Sequence, residues 1–269
     1  MDFSTLAALP DERMDVLRGA LLVARDEFPT LSLERETARI DELAEPLGSL
    51  SGIGAGDQAV LLAEHLFGVH GFRGNHDEYY DPKNSYLNAV LDRKLGIPIT
   101  LSILYVEVAR RAGVPASGVS FPRHFLVRIE TETGEPLLVD PFGGGRVVGR
   151  GTLESWLERG PTPVRNLRAR LSAASPGTIL LRLLANLKGV YATRGDLSRL
   201  LVVISRMLEL SPDSADDLRD RAFVAMRLGV PRVAEGDFRR YLDLCPEAGD
   251  VAEVRRLLVK LGGTTPAIH

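Results

Sequence analysis

Apolar residues in the first seventy positions recur at spacings of three and four, which is the pattern of helices that bury one face. The first segment begins after Asp11, whose side chain can cap a helix. A second follows Pro29, and a third begins at Asp57, after a loop over 48–56 that is rich in glycine and serine. The pattern therefore predicts N-terminal helices over 1–70 that pack on the central part of the chain.

The stretch 71–85 has a different character, because turn-forming and polar residues stand there beside aromatic ones. Phe72, Tyr79 and Tyr80 each need a surface to pack on. The sequence therefore predicts a structured loop at this position, which is the kind of segment that carries functional residues.

Two helices and a set of short strands are predicted after this loop. Pro98 suits the first turn of the second helix, where no N–H is needed, and Gly113 with Pro115 ends that helix. Short apolar runs separated by turn residues follow, which is typical of strands. The predicted elements are helices over 85–95 and 99–112, strands around Val119 and over 124–129, 137–140 and 146–148, and a helix around Trp156. They define an α+β core over 71–160.

The C-terminal part of the chain, 175–269, is helical in pattern and repeats with a fixed period. The positions that match at an offset of 34 residues are Gly195 and Gly229, Leu208 and Leu242, Leu210 and Leu244, and Pro212 and Pro246. This period predicts tetratricopeptide (TPR) repeats, and Tyr191, Ala234 and Phe238 fall at the packing positions of that motif. Two repeats are fewer than the roughly three that a solenoid needs, so a capping helix is predicted over 251–261.

The amino-acid composition limits the classes of protein and the functions that this chain can have. The chain has 269 residues, of which 45% are apolar and 26% are charged. We therefore expect a soluble globular protein with room for two modest domains, joined by a proline- and arginine-rich linker at 161–174. A net charge of −3 argues against nucleic-acid binding. The sequence shows neither a signal peptide nor an apolar run near the roughly 20 residues of a membrane span, which predicts a cytoplasmic location. Cys245 is the single cysteine, which excludes an intrachain disulfide and a cysteine-rich metal site.

A histidine and an aspartate mark the ends of two neighbouring predicted strands. His124 opens the strand over 124–129, and Asp140 closes the strand over 137–140, with a polar turn between them. Antiparallel pairing of these strands can set an imidazole beside a carboxylate, which in nucleophilic catalysis fixes the tautomer of the base. The nucleophile is the missing partner, because Cys245 lies in the repeats.

The central segment resembles the core of transglutaminase-like proteins, and the whole chain is similar to the SirB-type family of bacterial transglutaminase-like/TPR proteins. The matching stretches are GFRGNHDEYYDPKNSYLNAVLDRKLGIPITLSILYVEVARRAG, GVSFPRHFLVRI and LLVDPFGGG. The resemblance implies a papain-like α+β core with N-terminal helices, followed by an all-α TPR-like domain. The family's Cys–His–Asp triad would map onto His124 and Asp140, with its cysteine near Ile99 and Thr100, where this chain has none. Arg123 stands where the family usually has glycine, and its charge should disfavour a protonated His124.

Three hypotheses for function follow from the incomplete triad. The first is a non-catalytic binding or regulatory protein. The second is a hydrolase or acyl transferase in which Thr100 or Ser102 is the nucleophile, His124 the base and Asp140 the orienting group. A hydroxyl needs a positioned base at every turnover, and both residues lie in an apolar helix where they ordinarily bond the preceding turn. The third hypothesis is a purely structural scaffold.

The binding hypothesis also names ligand contacts and partners. Asn75, Tyr80 and Asn84 in the 71–85 loop, together with Arg123, are candidates for the rim of a cleft, although asparagines in turns usually bind local backbone groups. The partner would be a protein or peptide held by the cleft and by the concave face of the repeats. His65 and His70 are five residues apart and so miss the zinc spacing of two histidines on one helix face, and we expect neither a metal nor a cofactor.

Overall fold

The computed structural model describes residues 2–158 and 167–262, and contacts between residues divide the chain into two compact units. The first unit contains Leu9–Leu183, and the second contains Phe3–Ala8 together with the chain from Leu184 onwards. The predicted divisions at residues 70, 160 and 174 stay predictions. Of the predicted linker, 161–166 lies outside the described residues, and Leu167–Arg170 forms a short helix.

Helices make up most of both units. In chain order they are α1 (Phe3–Ala7), α2 (Val16–Glu27), α3 (Leu33–Ala44), α4 (Ala55–Ala63), α5 (Leu87–Arg93), α6 (Pro98–Arg111), α7 (Arg150–Glu158), α8 (Leu167–Arg170), α9 (Pro176–Arg194), α10 (Leu197–Leu210), α11 (Ala215–Arg227), α12 (Pro231–Leu244) and α13 (Val251–Gly262). A π-helix at Glu64–Val69 continues α4, and short 3-10 turns lie at Asp11–Arg13, Glu45–Leu47 and Pro82–Asn84. The predicted N-terminal helices and the capping helix α13 are confirmed.

The starts of two N-terminal helices differ from the prediction. Asp15, rather than Asp11, caps α2 by accepting a hydrogen bond from the Arg18 N–H (2.9 Å). Asp11 instead accepts a hydrogen bond from the Gly177 N–H (2.6 Å) in the first turn of α9. Helix α4 begins two residues before Asp57, which lies in its first turn. Residue type alone allowed several capping positions, and the conformation of the preceding chain selects among them.

Two sheets lie in the described part of the first unit. Their strands are β1 (Arg73–Gly74), β2 (Leu95–Gly96), β3 (Ala116–Phe121), β4 (His124–Ile129), β5 (Leu137–Asp140) and β6 (Arg146–Val147). β1 and β2 form a parallel pair, and β3-β4-β5-β6 form an antiparallel sheet in that order, which confirms the predicted strands. The helix predicted through residue 95 ends earlier, because Lys94 has a left-handed conformation (φ 58°) and the chain after it pairs with β1.

The two faces of the antiparallel sheet pack on different helices. One face and α7 share a hydrophobic cluster of Val119, Phe121, Leu126, Leu138, Leu153 and Leu157. The other face lies against α6, where the hydroxyl of Ser102 donates to the main-chain oxygen of Phe125 (3.2 Å). Because side chains alternate along a strand, neighbouring residues of β4 face different helices.

The second unit has the predicted helical repeats. Gly195 and Gly229, which occupy equivalent positions in the sequence period, follow α9 and α11 in the left-handed conformation (φ 68° and 72°). A residue in this conformation commonly ends a helix. Tyr191, Ala234 and Phe238 are buried, as the repeat motif requires. The sequence period therefore corresponds to equivalent turns and equivalent core positions.

Candidate functional site

His124 and Asp140 lie on the same face of the antiparallel sheet. Val127 of β4 pairs with Val139 of β5, and continuing this register by one residue sets Asp140 opposite Leu126. His124 is two residues from Leu126 and so shares its face, as a diagonal neighbour of Asp140 at a separation of about 7–8 Å between α-carbons. Strand pairing therefore brings together the two residues that the resemblance singled out.

Trp156 of α7 covers one side of the His124 ring. The two rings are nearly parallel, with centroids 3.7 Å apart and an interplanar angle of 9°. Leu153 and Leu157, which flank Trp156 on α7, are buried in the cluster under the sheet and fix the position of the indole. The imidazole is half-buried as a result, with its edges left for other contacts.

The surroundings of His124 favour its neutral form. Burial lowers the pKa of His124; the charge of Asp140 raises this pKa, and the charges of Arg123 and Arg182 lower it further. The direction of the Arg123 effect is the one expected from the sequence. Among the residues that the structure describes, neither the ring nitrogens of His124 nor the carboxylate oxygens of Asp140 form a hydrogen bond to protein groups.

Arg123 occupies a turn that favours glycine. Its φ is 64°, in the left-handed region, and it stands between Pro122 and the start of β4. A proline followed by a residue with positive φ is the pattern of a type II turn, in which the second position ordinarily holds glycine. This accounts for the family's usual residue here and places the exposed Arg123 side chain beside His124.

The hydroxyls of Thr100 and Ser102 are completely buried at the start of α6. The Thr100 hydroxyl donates to the main-chain oxygen of Asn84 (2.7 Å) and accepts from the Ile97 N–H (3.1 Å). Ser102 binds Phe125 from the α6 side of the sheet, whereas the His124 ring lies on the α7 side. Each hydroxyl is therefore occupied by a main-chain group.

Asn75 and Asn84 hold the 71–85 loop in shape. Both are buried, and the amide of Asn75 donates to the side-chain oxygen of Asn84 (3.0 Å). Asn84 also donates to the main-chain oxygens of Glu78 (2.7 Å) and Tyr79 (3.2 Å), while the Glu78 N–H binds Asn75. Tyr80, by contrast, is 71% exposed. Of the candidate ligand contacts in this loop, Tyr80 therefore faces solvent and the two asparagines face the loop's own backbone.

An aromatic patch, which the sequence did not single out, adjoins Asp140. It consists of His76, Tyr79, Tyr80 and Phe142. Phe142 contacts His76 (ring centroids 4.4 Å apart) and Tyr79 (5.9 Å), and Tyr79 contacts Tyr80 (5.2 Å). The signals available were the position of Phe142 two residues after Asp140 and the aromatic content of the loop.

Glycines and one arginine complete the surroundings of this patch. A β-carbon on Gly74 would lie 2.7 Å from the Phe142 ring, and one on Gly143 would lie 2.6 Å from an Asp140 carboxylate oxygen. Gly74 is required for close packing, because a β-carbon there would also lie 2.8 Å from the main-chain oxygen of Phe142, whereas the Asp140 carboxylate can turn away from residue 143. The charge of Arg182 in α9 lowers the pKa of both His124 and Tyr79. Burial is the larger influence on Tyr79 and raises its pKa.

His65 and His70 lie on the same side of their helix, although their spacing of five residues predicted that they would not. The π-helix at Glu64–Val69 lets the His70 N–H bind the His65 carbonyl (3.0 Å). Because a π-helix has more residues in each turn than an α-helix, a spacing of five brings the two rings to one side, 4.5 Å apart. His65 Nε2 donates to the main-chain oxygen of Leu43 (2.6 Å). Within residues 2–158 and 167–262, no group of three or more metal-ligating side chains is gathered.

Comparisons with known proteins agree with this fold. The model of the transglutaminase-like superfamily matches residues 34–185, and a tetratricopeptide repeat model matches residues 187–259. These matches define a transglutaminase-like protein with a C-terminal repeat region.

Individual proteins that are similar to this chain identify its family within the transglutaminase-like class. A UPF0162 protein of Xylella fastidiosa is 40% identical over 273 residues, which cover 99% of this chain and 97% of that protein. A UPF0162 protein of Pseudomonas aeruginosa is 31% identical and covers 97% and 95% of the two chains. Protein SirB1 of Salmonella typhimurium is 28% identical and covers 83% and 82%. The chain belongs to this UPF0162/SirB1 family, as the sequence resemblance predicted. Across the described part of the chain, no helix is both long and apolar enough to cross a membrane.

Proposed function

We propose that this protein is a binding module without catalytic activity, which holds a peptide at the surface around His124 and docks a protein partner through its repeats. One observation carries the proposal: both hydroxyls nearest the position of the family's cysteine are buried and bound to main-chain groups. The unit therefore retains a base and a carboxylate beside each other, while neither candidate nucleophile faces them.

The chemistry of acyl transfer explains why this arrangement argues against catalysis. A nucleophile must lie within hydrogen-bond reach of the base, and the base must be oriented by a third group. Ser102 is on the other side of the sheet from the His124 ring, and Thr100 would have to break its bond to Asn84 before reacting. A neutral imidazole without a hydrogen-bonded orienting carboxylate is also a poorly fixed base.

The same groups are suited to holding a ligand. The His124 ring can both donate and accept hydrogen bonds, and Asp140 can accept from a peptide N–H. The aromatic patch offers flat apolar surface, with exposed Tyr80 at its edge. A peptide with an aromatic side chain and a main-chain N–H beside Asp140 therefore matches this surface best.

The repeat unit supplies a rigid surface for a larger partner. Tetratricopeptide repeats bind other proteins through a concave face lined by paired helices. Here the helices are held to one another by partly buried ion pairs, such as Lys188 of α9 with Asp217 of α11 (2.7 Å). Such pairs limit the rearrangement that binding would require, which favours recognition by a preformed surface.

Peptide binding tests the proposal directly. Peptides selected from a random display library on the immobilised protein are titrated against it in solution, with the fluorescence of Trp156, the single tryptophan, as the signal. We expect one-to-one binding that His124→Ala abolishes and that His70→Ala, a half-buried histidine of the same unit, leaves unchanged.

Two outcomes would overturn the proposal. Unchanged affinity in His124→Ala together with a lowered melting temperature would indicate a structural scaffold. Cleavage or acyl transfer of the bound peptide by the wild-type protein, lost in Ser102→Ala or Thr100→Val, would indicate the hydrolase or acyl transferase.

A further inference from the structure

The short helix α1 belongs to the second unit, although the chain that follows it belongs to the first. Residues Phe3–Ala8 group with the repeats, whereas the chain from Leu9 onwards groups with the transglutaminase-like unit. Within the repeats, α1 packs mainly on α10. The contacts of α1 with α10, rather than the fold of the chain that follows, therefore place this helix in the second unit.

Two apolar side chains anchor α1, and polar contacts lie beside them. Phe3 is 2% exposed, and Leu6 is completely buried. The guanidinium carbon of Arg206 in α10 lies 5.3 Å from the centre of the Phe3 ring, which is within the range of a cation–π contact. The Ser4 hydroxyl donates to a carboxylate oxygen of Glu209 in α10 (3.0 Å). Apolar anchors three residues apart on one helix face are the pattern by which a groove recognises an amphipathic helix.

The helix α1 is too short to be stable away from this surface. It has five residues, and isolated helices shorter than about 12–15 residues are marginal in water. The burial of Phe3 and Leu6 is opposed by the conformational entropy that the whole segment loses when it docks. Docking is therefore reversible, and another segment with the same anchors can compete for the surface.

We propose that the surface of α10 around Arg206 and Glu209 is a docking site for amphipathic helical segments of partner proteins, and that α1 occupies it in the free chain. The partner segment has an aromatic residue, a hydroxyl residue next to it, and leucine three positions after the aromatic residue. Arg206 pairs with Glu209 (3.1 Å), so the surface offers a cation to the ring and an acceptor to the hydroxyl.

This inference rests on the docking role proposed above for the repeats, and it names a surface and a partner segment for that role. In the free chain, α1 is an internal competitor. The apparent affinity for a partner falls in proportion to the fraction of molecules in which the surface is open. The docking site lies in the second unit, so its failure would leave peptide binding at His124 to be judged by its own titration.

Fluorescence anisotropy of a labelled peptide with the sequence of residues 2–9, DFSTLAAL, tests the site on the full chain. We expect the double variant Phe3→Ala/Leu6→Ala to bind this peptide about tenfold more tightly than the wild-type chain, which corresponds to α1 being docked in about nine molecules in ten. In the double variant, Arg206→Ala should weaken binding about threefold, the size of an exposed cation–π contact. Arg239→Ala, which removes an exposed arginine of α12, should leave binding unchanged.

Hydrogen exchange of the wild-type chain gives a measurement that needs no variant of the protein. Saturating peptide should speed the amide exchange of the chain's own Phe3–Ala8, because this segment is displaced from α10. The peptide is synthesised with heavy isotopes, so its mass distinguishes it from the same segment of the protein. The peptide with Phe3→Ala should leave the exchange unchanged, since it lacks the aromatic anchor.

Three outcomes would overturn the inference. Equal affinity of the wild-type chain and the double variant would mean that α1 does not cover the binding site of the peptide. Loss of binding in His124→Ala, which we expect to have no effect, would assign the peptide to the surface of the first unit. Concentration-dependent dimers that the wild-type chain forms and the double variant does not would make a second copy of this chain, rather than a partner protein, the occupant.

Discussion

The two units use their polar residues in different ways. In the repeats, buried charged groups are paired between helices: Arg221 of α11 and Asp237 of α12 form two hydrogen bonds, of 2.7 and 2.8 Å. In the transglutaminase-like unit, His124 rests on an indole ring, and its neighbour Asp140 accepts no hydrogen bond from the described protein groups. Polar residues that bond only to other groups of the protein stabilise the fold. Those whose polar atoms lack such partners are the ones available to a ligand.

The largest expected effect is at the paired charges of the repeats. Asp237→Ala leaves the guanidinium of Arg221 largely buried without its partner. The free energy of unfolding should therefore fall by about 3 kcal/mol, which urea denaturation followed by circular dichroism measures. The matched control is Asp213→Ala, which breaks the exposed pair with Arg240. This change should cost less than about 1 kcal/mol. Equal losses in the two variants would contradict the structural role of the buried pair.

A smaller effect is expected in the 71–85 loop, where buried asparagines and an exposed tyrosine occur side by side. Asn84→Ala removes the partner of Asn75 and leaves two main-chain oxygens unpaired. The free energy of unfolding should therefore fall by about 2 kcal/mol, the cost of leaving buried polar groups unsatisfied. Tyr80 lies on the exposed side of the same loop. Its replacement, Tyr80→Ala, should change the free energy of unfolding by less than about 0.5 kcal/mol while weakening peptide binding.

Thermal denaturation and the peptide titration together measure both effects in the loop. A destabilised Tyr80→Ala variant with normal peptide affinity would reverse the assignment of this residue to the ligand surface.

Features that depend on local periodicity could be predicted from the sequence. The repeat period made Gly195 and Gly229 equivalent, and both have the left-handed conformation, because equivalent positions in a repeat have equivalent conformations. Alternation along two strands joined by a polar turn likewise predicted that His124 and Asp140 would lie together. Each of these inferences needed only the geometry of one helix turn or one strand pair.

Features that depend on packing between distant segments could not be predicted. Trp156 reaches His124 only because a later helix crosses the sheet, and nothing in the local sequence fixes that crossing. The proximity of His65 and His70 requires a π-helix, whereas the spacing argument assumed the period of an α-helix. Thr100 and Ser102 were reasonable nucleophiles by position, but their burial follows from how α6 packs on its neighbours.

The smallest expected effect is a pH dependence specific to the His124 region. Because the fold lowers the pKa of His124 from its ordinary value of 6.5, the unfolded chain takes up this proton more readily than the folded one. Stability from this group is therefore complete above pH 6.5 and is lost as the pH falls from there through the lowered pKa of the folded state. The emission of Trp156, stacked 3.7 Å from the ring, should report the protonation, with a midpoint below 6.5 that disappears in His124→Gln.

A second histidine provides the control for this transition. His70, whose pKa burial also lowers, lies outside the stack with Trp156, so His70→Ala should leave the optical transition in place. A midpoint above 6.5 would instead mean that Asp140 outweighs burial, as the orienting carboxylate of a catalytic pair would. Asp140 and His124 would then be partners of each other, as the paired charges of the repeats are. The difference between the two units in how they use polar residues would then disappear.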